Sequence, residues 1–162
     1  SDGAELELQA VVGGFAANLG VAYLDAKFDA ASTLQNAVTN ANQVVPKGSD
    51  LPFSPGATVT GGLQYRAAVR GGSVTSRVQY AYVGSQIATP FPSSVTFVPS
   101  RGIADARVTY ETDTGWRLEG AVTNLSNKVY IASQIQNSST ADGGILYGAP
   151  RQLTLRVSRK FN

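Results

Sequence analysis

The 162-residue sequence contains no cysteine, no histidine and no methionine, and a single tryptophan. Without cysteine there are no disulfides and no thiolate metal ligands. Without histidine the commonest general base and metal ligand is missing, so a nucleophile–base hydrolase is hard to assemble and an enzyme is the least expected reading. No run approaches the ~18 apolar residues that a membrane-spanning helix requires. Charge of one sign is also scarce. The 13 basic and 11 acidic residues leave a net +2, and they are interleaved rather than clustered, which speaks against a nucleic-acid partner. Asp25, Asp29 and Asp50 have no calcium-loop spacing, and no metal or cofactor is expected. A chain that opens Ser1-Asp2-Gly3 and lacks methionine fits a processed product or a piece of something longer.

What the sequence does have is alternation. In its last segment Leu153, Leu155, Val157 and Phe161 take turns with Gln152, Thr154, Arg156, Ser158 and Lys160. A strand sends successive side chains to opposite faces, so one face is apolar and the other wet and charged. Seven segments follow this rule, at 4–12, 15–28, 57–69, 74–83, 102–112, 116–124 and 151–161. Short turns at Gly13-Gly14, Arg70-Gly71-Gly72-Ser73 and Asp113-Thr114-Gly115 alternate with long polar connections at 29–56, 84–100 and 125–150. A soluble sandwich gives no reason for such sidedness. A transmembrane β-barrel does, with short periplasmic turns and long extracellular loops. The fold class expected is therefore all-β, an antiparallel meander of about seven strands forming a barrel-wall segment.

Aromatics support the same reading. Phe15, Tyr65, Tyr110, Trp116 and Phe161 lie on the apolar face near the short turns, and Tyr23, Tyr80 and Tyr82 toward the long loops. From Phe15 to Tyr23 the height is roughly 19 Å at ~3.3 Å per residue and ~45° tilt, close to an apolar band of about 25 Å edged by aromatic girdles. On the opposite, lumen-facing side stand Arg66, Arg77, Asp105, Arg107, Arg117, Glu119 and Arg156, of which Asp105, Arg107, Arg117 and Glu119 are expected to form a charge ladder. In the first long connection Leu34, Ala37, Val38 and Ala41 have helical spacing, which is compatible with a short surface helix there. Pro90, Pro92 and Pro99 in the second disfavour a central strand. Aromatics on long polar loops suit ligand contact, which makes Phe53, Phe91, Phe97 and Tyr147 the candidate ligand-binding residues.

Four motifs carry a resemblance. The stretch Asn124-Leu125-Ser126-Asn127-Lys128-Val129-Tyr130 resembles a signature near the C-terminus of TonB-dependent outer-membrane receptors. Pro150-Arg151 with the strand ending at Phe161 resembles that family's closing strand. Gly3-Ala4-Glu5-Leu6-Glu7-Leu8 and Tyr23-Leu24-Asp25-Ala26-Lys27-Phe28 resemble two earlier elements, in matching order. The resemblance implies a bacterial outer-membrane transporter with a 22-stranded barrel, a plug domain in its lumen and coupling to TonB. It further implies a bulky scarce ligand, such as a ferric siderophore, vitamin or oligosaccharide, and an assembly signal at Phe161 read by barrel-assembly machinery. Residues 1–162 would then be the C-terminal part of the barrel, with plug and earlier strands outside them. Their partners would be outer-membrane lipid, the rest of the same barrel, the plug, TonB through the missing part, and a small-molecule ligand. The alternatives are a small self-contained barrel with a structural or adhesin role and a soluble β-sandwich binding module.

Overall fold

The computed structural model describes residues 1–36, 39, 41–91, 96–136 and 143–161. Its strands are β1 (Asp2–Val12), β2 (Phe15–Asp25), β3 (Ser32–Gln35), β4 (Asn42–Val45), β5 (Ala57–Val69), β6 (Gly72–Val83), β7 (Gln86–Ile87), β8 (Phe97–Val98), β9 (Arg101–Thr112), β10 (Trp116–Thr123), β11 (Ile131–Gln136), β12 (Gly143–Tyr147) and β13 (Gln152–Arg159). Seven of them form one antiparallel sheet in the order β1-β2-β5-β6-β9-β10-β13. The remaining six pair off as three small hairpins, β3–β4, β7–β8 and β11–β12, one in each long connection. Strand neighbours in sequence are neighbours in space, as a meander of alternating segments dictates.

Register makes the two faces explicit. One row of paired residues runs Leu8, Leu19, Gly61, Tyr80, Ala104, and another runs Leu6, Val21, Val59, Tyr82, Gly102. Leu63 with Val78, and Leu118 with Tyr110 and Val157, lie on the same face. The charged residues of the strand interiors fall on the other face; the apolar-face positions that carry charge are at strand ends, Asp2 with Asp25 at the loop end of β1 and β2 and Arg159 opposite Trp116 at the turn end of β13. A row that begins at Val12, beside the first turn, passes through Phe15, Tyr65, Ser76, Val108 and Gly120 and reaches β13 at Leu155. That is well inside the strand's turn-side end. Such stagger is the shear that a tilted barrel wall requires.

The tight turns hold because Gly13, Gly71 and Gly115 take φ of 57°, 80° and 84°, a region side chains disfavour. Each turn is also fastened to the next strand. The amide of Arg66 donates to Gly14 O at 2.8 Å, that of Asp113 to Gly71 O at 3.0 Å, and that of Lys160 to Gly115 O at 2.9 Å.

Among the described residues nothing covers the apolar face. Leu6, Leu8, Phe15, Leu63, Val78, Val108 and Leu155 are all exposed, as the outward apolar band of a barrel wall requires. The buried apolar side chains lie instead among the long connections: Ala26, Val45, Ala88 and Val98, with Val45 and Val98 at 1% and 0% exposure. The core of this chain is in its loops.

Three sequence readings are corrected here. The connection at 29–56 carries a β-hairpin where the spacing was compatible with a helix. Leu34 is in β3, and the Asn36 amide donates to Ala41 O at 2.9 Å to continue the β3–β4 ladder, while Ala37 and Val38 lie outside the described residues. The β-branched residues Thr33, Val44 and Val45 favour strands, and burial of Val45 rewards the hairpin. The second segment ends at Asp25 rather than at position 28, because Ala26 turns into the loop core and Lys27 keeps only an isolated bridge to Asp50. The long connections are also more regular than their Asn, Ser and Pro content suggests. Of the three prolines in the second connection, Pro92 lies outside the described residues, and Pro90 and Pro99 stand outside strands.

Candidate functional site

The polar face of the sheet carries two side-chain networks, one around Arg77 and one around Glu119. Register sets Arg77 directly opposite Arg107, an unfavourable pairing of like charges. The two side chains part. Arg77 Nη2 reaches across β5 to donate to Asn18 Oδ1 at 2.9 Å, and its Nε donates to Gln79 Oε1 at 2.9 Å. Arg107 turns the other way, with Nε 3.9 Å from Glu119 Oε1.

Glu119 is the hub. Only 8% exposed, it meets Arg107 on one side and accepts a 2.9 Å hydrogen bond from Arg117 Nη2 on the other. Arg117 continues to Glu111 at 3.9 Å, and Glu111 to Arg66 at 4.0 Å. The sequence Arg66, Glu111, Arg117, Glu119, Arg107 thus alternates in sign across three strands. The single short contact is the Arg117–Glu119 pair; the others are long and partly exposed, and surface pairs of that kind contribute little to stability. Their collective effect is a water-loving wall. Arg66 also donates to Ser73 Oγ at 3.1 Å, and Arg156 stands opposite Glu119 in register.

Of the expected ladder residues, Asp105 is the exception. Its Oδ1 accepts the backbone amide of Asn124 at 2.8 Å, so it fixes the exit of β10 instead of joining the ladder. Two depressions lie between the arginines, one of about 150 Å³ lined by Gln64, Thr75, Arg77, Arg107, Thr109, Glu111 and Arg117. The other, of about 100 Å³, borders Arg77, Gln79, Asp105 and Thr123. Both are well below the ~300 Å³ at which small-molecule sites begin. These two depressions are part of a polar lining rather than ligand pockets.

Gly62 makes the Arg77–Asn18 link possible. A Cβ there would stand 2.5 Å from Asn18 Oδ1 and 2.7 Å from Arg77 Nη2. Gly62→Val is therefore expected to destabilise the wall by about 1–3 kcal/mol, through steric displacement and an unmade hydrogen bond. In an Arg77→Gln background the loss should be smaller. Urea midpoints of the four variants in refolded receptor measure this, and full additivity would mean that the two residues do not communicate.

The candidate ligand-binding aromatics all lie in the loop region, but not as one cluster. The Phe53 amide donates to Ile87 O at 2.8 Å, and Ile87 pairs with Phe97. Phe53 and Phe97 therefore flank the same backbone, and both rings are exposed. Phe53 has φ of 54°, an unusual conformation for an aromatic residue. Phe91 is half-buried, held in a turn where its amide donates to Thr89 Oγ1 at 3.3 Å. Tyr147 ends β12 opposite Ile131 and is exposed. No two of these four rings stack among the described residues; the ring pair that does form is Phe15–Tyr65 on the apolar face, with centroids 4.4 Å apart. Beside the loops, Lys27 Nζ lies 2.8 Å from Asp25 Oδ1, and this hydrogen bond and charge, with a further contribution from Asp50, raise its pKa above the ordinary lysine value.

Two features were not visible in the sequence pattern. Arg159, on the apolar face, lies 5.1 Å from the ring centres of both Trp116 and Phe161. Asn124 is 3% exposed and ties three segments together. Its Nδ2 donates to Lys128 O at 2.8 Å and to Ala149 O at 3.1 Å, and its Oδ1 accepts the Lys128 amide at 2.9 Å. Its membership in a recognisable motif was the available signal.

The family model described as "TonB dependent receptor-like, beta-barrel" matches residues 1–125. No curated protein matches. Among solved structures, the siderophore receptor PiuA from Acinetobacter baumannii aligns with a TM-score of 0.75 at 20% identity, over 96% of this chain and 21% of that one. The ferric yersiniabactin uptake receptor FyuA from Yersinia pestis aligns with a TM-score of 0.76 at 16% identity, over 99% and 23%. BauA, the ferric preacinetobactin receptor of Acinetobacter baumannii, gives 0.59 at 18%, over 98% and 29%. The chain thus spans between about a fifth and under a third of the length of these structures, and at such identities the likeness speaks for the fold: an all-β, unclosed part of a large antiparallel barrel.

Proposed function

Because the chain belongs to the TonB-dependent receptor-like β-barrel family, a family of the bacterial outer membrane, we propose that residues 1–162 are the C-terminal wall of a receptor that imports a scarce, bulky ligand. A ferric siderophore, a vitamin or an oligosaccharide is the class of cargo. The observation that carries this reading is the opposition of the two faces, one apolar through the strand interiors, the other lined by arginines and glutamates. A water-filled or plugged lumen needs the second face as much as lipid needs the first.

β1 and β13 sit at opposite ends of the sheet order and do not pair with each other. Unpaired backbone groups cost several kcal/mol each in hydrocarbon. These edges are therefore where the remaining strands of the same barrel attach, and a self-contained adhesin barrel is disfavoured. The plug and the TonB contact belong to those other parts, and import is transport rather than catalysis. Phe161, exposed beyond β13, serves as the signal for barrel-assembly machinery.

Phe53 and Phe97 are the proposed ligand contacts. Both rings are exposed, so replacing both with Ala in the complete receptor should leave its surface level intact. Binding of the cognate ligand should weaken at least about tenfold, the weight of two aromatic contacts of about 1 kcal/mol each. The panel to screen is ferric hydroxamate, catecholate and carboxylate complexes, cobalamin and maltodextrins. Unchanged binding of the ligand so identified would move the site to the plug.

A further inference from the structure

Across the seven wall strands the apolar face carries one basic residue, Arg159. It pairs in register with Trp116 at the short-turn end of the wall. Its guanidinium carbon lies 5.1 Å from the centre of the Trp116 ring and 5.1 Å from that of Phe161, so the cation rests on two aromatic faces. Among the described residues no carboxylate comes within 4.0 Å of it. Arg66, Arg77, Arg107 and Arg117 instead project into the polar face, where carboxylates or amides receive them.

An uncompensated guanidinium on a lipid-facing surface is costly unless it reaches the interface. Arg159 does, because the periplasmic rim begins one residue beyond it, where the Lys160 amide bonds Gly115 O. A groove of about 490 Å³ opens at that rim between Asp113, Thr114, Gly115, Arg159, Lys160 and Phe161. It is positive by two basic residues against one acid. A ring contact uses the charge of the guanidinium and not its N–H donors, and a planar fork of this kind matches two phosphate oxygens.

We propose that Arg159, held between Trp116 and Phe161, binds the phosphodiester of a phospholipid in the periplasmic leaflet, with Lys160 at the rim adding charge. The lipid would lie against the wall with its acyl chains over Val157, Leu155 and Leu118, which continue upward from the site on the same face. The site fixes the height of the barrel's closing strand in the membrane. This rests on the outer-membrane barrel reading and not on the identity of the transported ligand.

The test uses the complete receptor in detergent, titrated with phosphatidylglycerol or with a phosphate-free galactosyl diacylglycerol of equal chain length, bound lipid being counted by native mass spectrometry. The native receptor should prefer phosphatidylglycerol about tenfold, the scale of one charge-assisted contact, and Arg159→Gln should lose that preference. Trp116→Leu, which keeps the cation but removes one ring, should reduce it. Arg159→Lys should retain part of it, and provides the comparison if Arg159→Gln fails to fold. Equal retention of the two lipids by the native receptor, or an undiminished preference in Arg159→Gln, overturns the proposal. So does displacement of the lipid by inorganic phosphate, which would make this a site for a free anion. Failure of the native receptor to insert in vesicles at all would instead count against the barrel reading.

Discussion

Arginine at Val108 should destabilise the refolded receptor in lipid vesicles by about 2–4 kcal/mol, the cost of a basic side chain at the bilayer midplane of a barrel wall. Val108 is placed for the full penalty. It is 51% exposed on the apolar face, and its β9 neighbours locate it in height. Four residues toward the loops stands Ala104, paired with Tyr80. Four residues toward the turn stands Thr112, whose hydroxyl accepts the Trp116 amide at 2.9 Å. Val108 is therefore midway between the two aromatic levels, about 9 Å from each at ~3.3 Å per residue and ~45° tilt. Arginine there has no short route to either interface.

The contrast that gives this result meaning is an arginine on the other face. The adjacent Thr109 is a poor choice, because it is 6% exposed and lies under the Arg107–Glu119–Arg117 network. Thr154 is better. It is exposed, faces the polar side of β13 and pairs with Ala121, so Thr154→Arg should change the denaturant midpoint by no more than about 0.5 kcal/mol. Equal losses at the two positions would mean that the apolar face does not meet lipid.

The wall was legible in the sequence because its information is local and repeats. Alternation fixes which residues share a face, and a strand bounded by glycine turns has little freedom in where it stops. The span 57–69 coincides with β5, and the spans 4–12 and 102–112 fall one or two residues short of β1 and β9. The candidate ligand residues were legible only to the extent that they are aromatics on loops. Nothing in the order of residues announces that Phe53 and Phe97 flank Ile87, since that depends on three separate stretches meeting.

The loop hairpins were missed for a physical reason. Four residues of alternation, as in β3, cannot be told from helical spacing until a partner strand is known, and the stability of these hairpins comes from Val45, Ala88 and Val98 packing away from water. Register was equally out of reach. The Arg77–Asn18 contact joins residues 59 apart, and the opposition of Arg77 and Arg107 explains why both arginines turn away from each other. Asp105 was assigned to the ladder on its sign and spacing, but the carboxylate serves a backbone amide because β10 ends beside it.

Asn124→Ala should be among the most damaging single changes in the chain that removes no apolar surface. The residue sits at the corner where β10 ends, with φ of 50°, and only glycine and asparagine visit that region readily. Its side chain makes three hydrogen bonds, two with Lys128 and one to Ala149 at the far end of the last long connection, and its own amide is held by Asp105. Because the site is 3% exposed, water cannot replace what alanine deletes, and the Lys128 amide and the Ala149 carbonyl lose partners. The expected loss is about 2–4 kcal/mol, combining unsatisfied buried groups with the left-handed backbone cost. Asn124→Gly keeps the hydrogen-bond loss but relieves the backbone, and should be milder by about 1 kcal/mol. Asn124→Asp keeps one acceptor for the Lys128 amide, yet it turns a carboxylate toward two carbonyls and sets it near Asp105, so it should be no better than alanine. Denaturant midpoints order the three variants, and limited proteolysis reports where the damage lands. Cleavage should rise in the connection 125–150 while the turn at Asp113-Thr114-Gly115 stays protected. An alanine variant as stable as the native receptor would show that this corner is held by the strands alone.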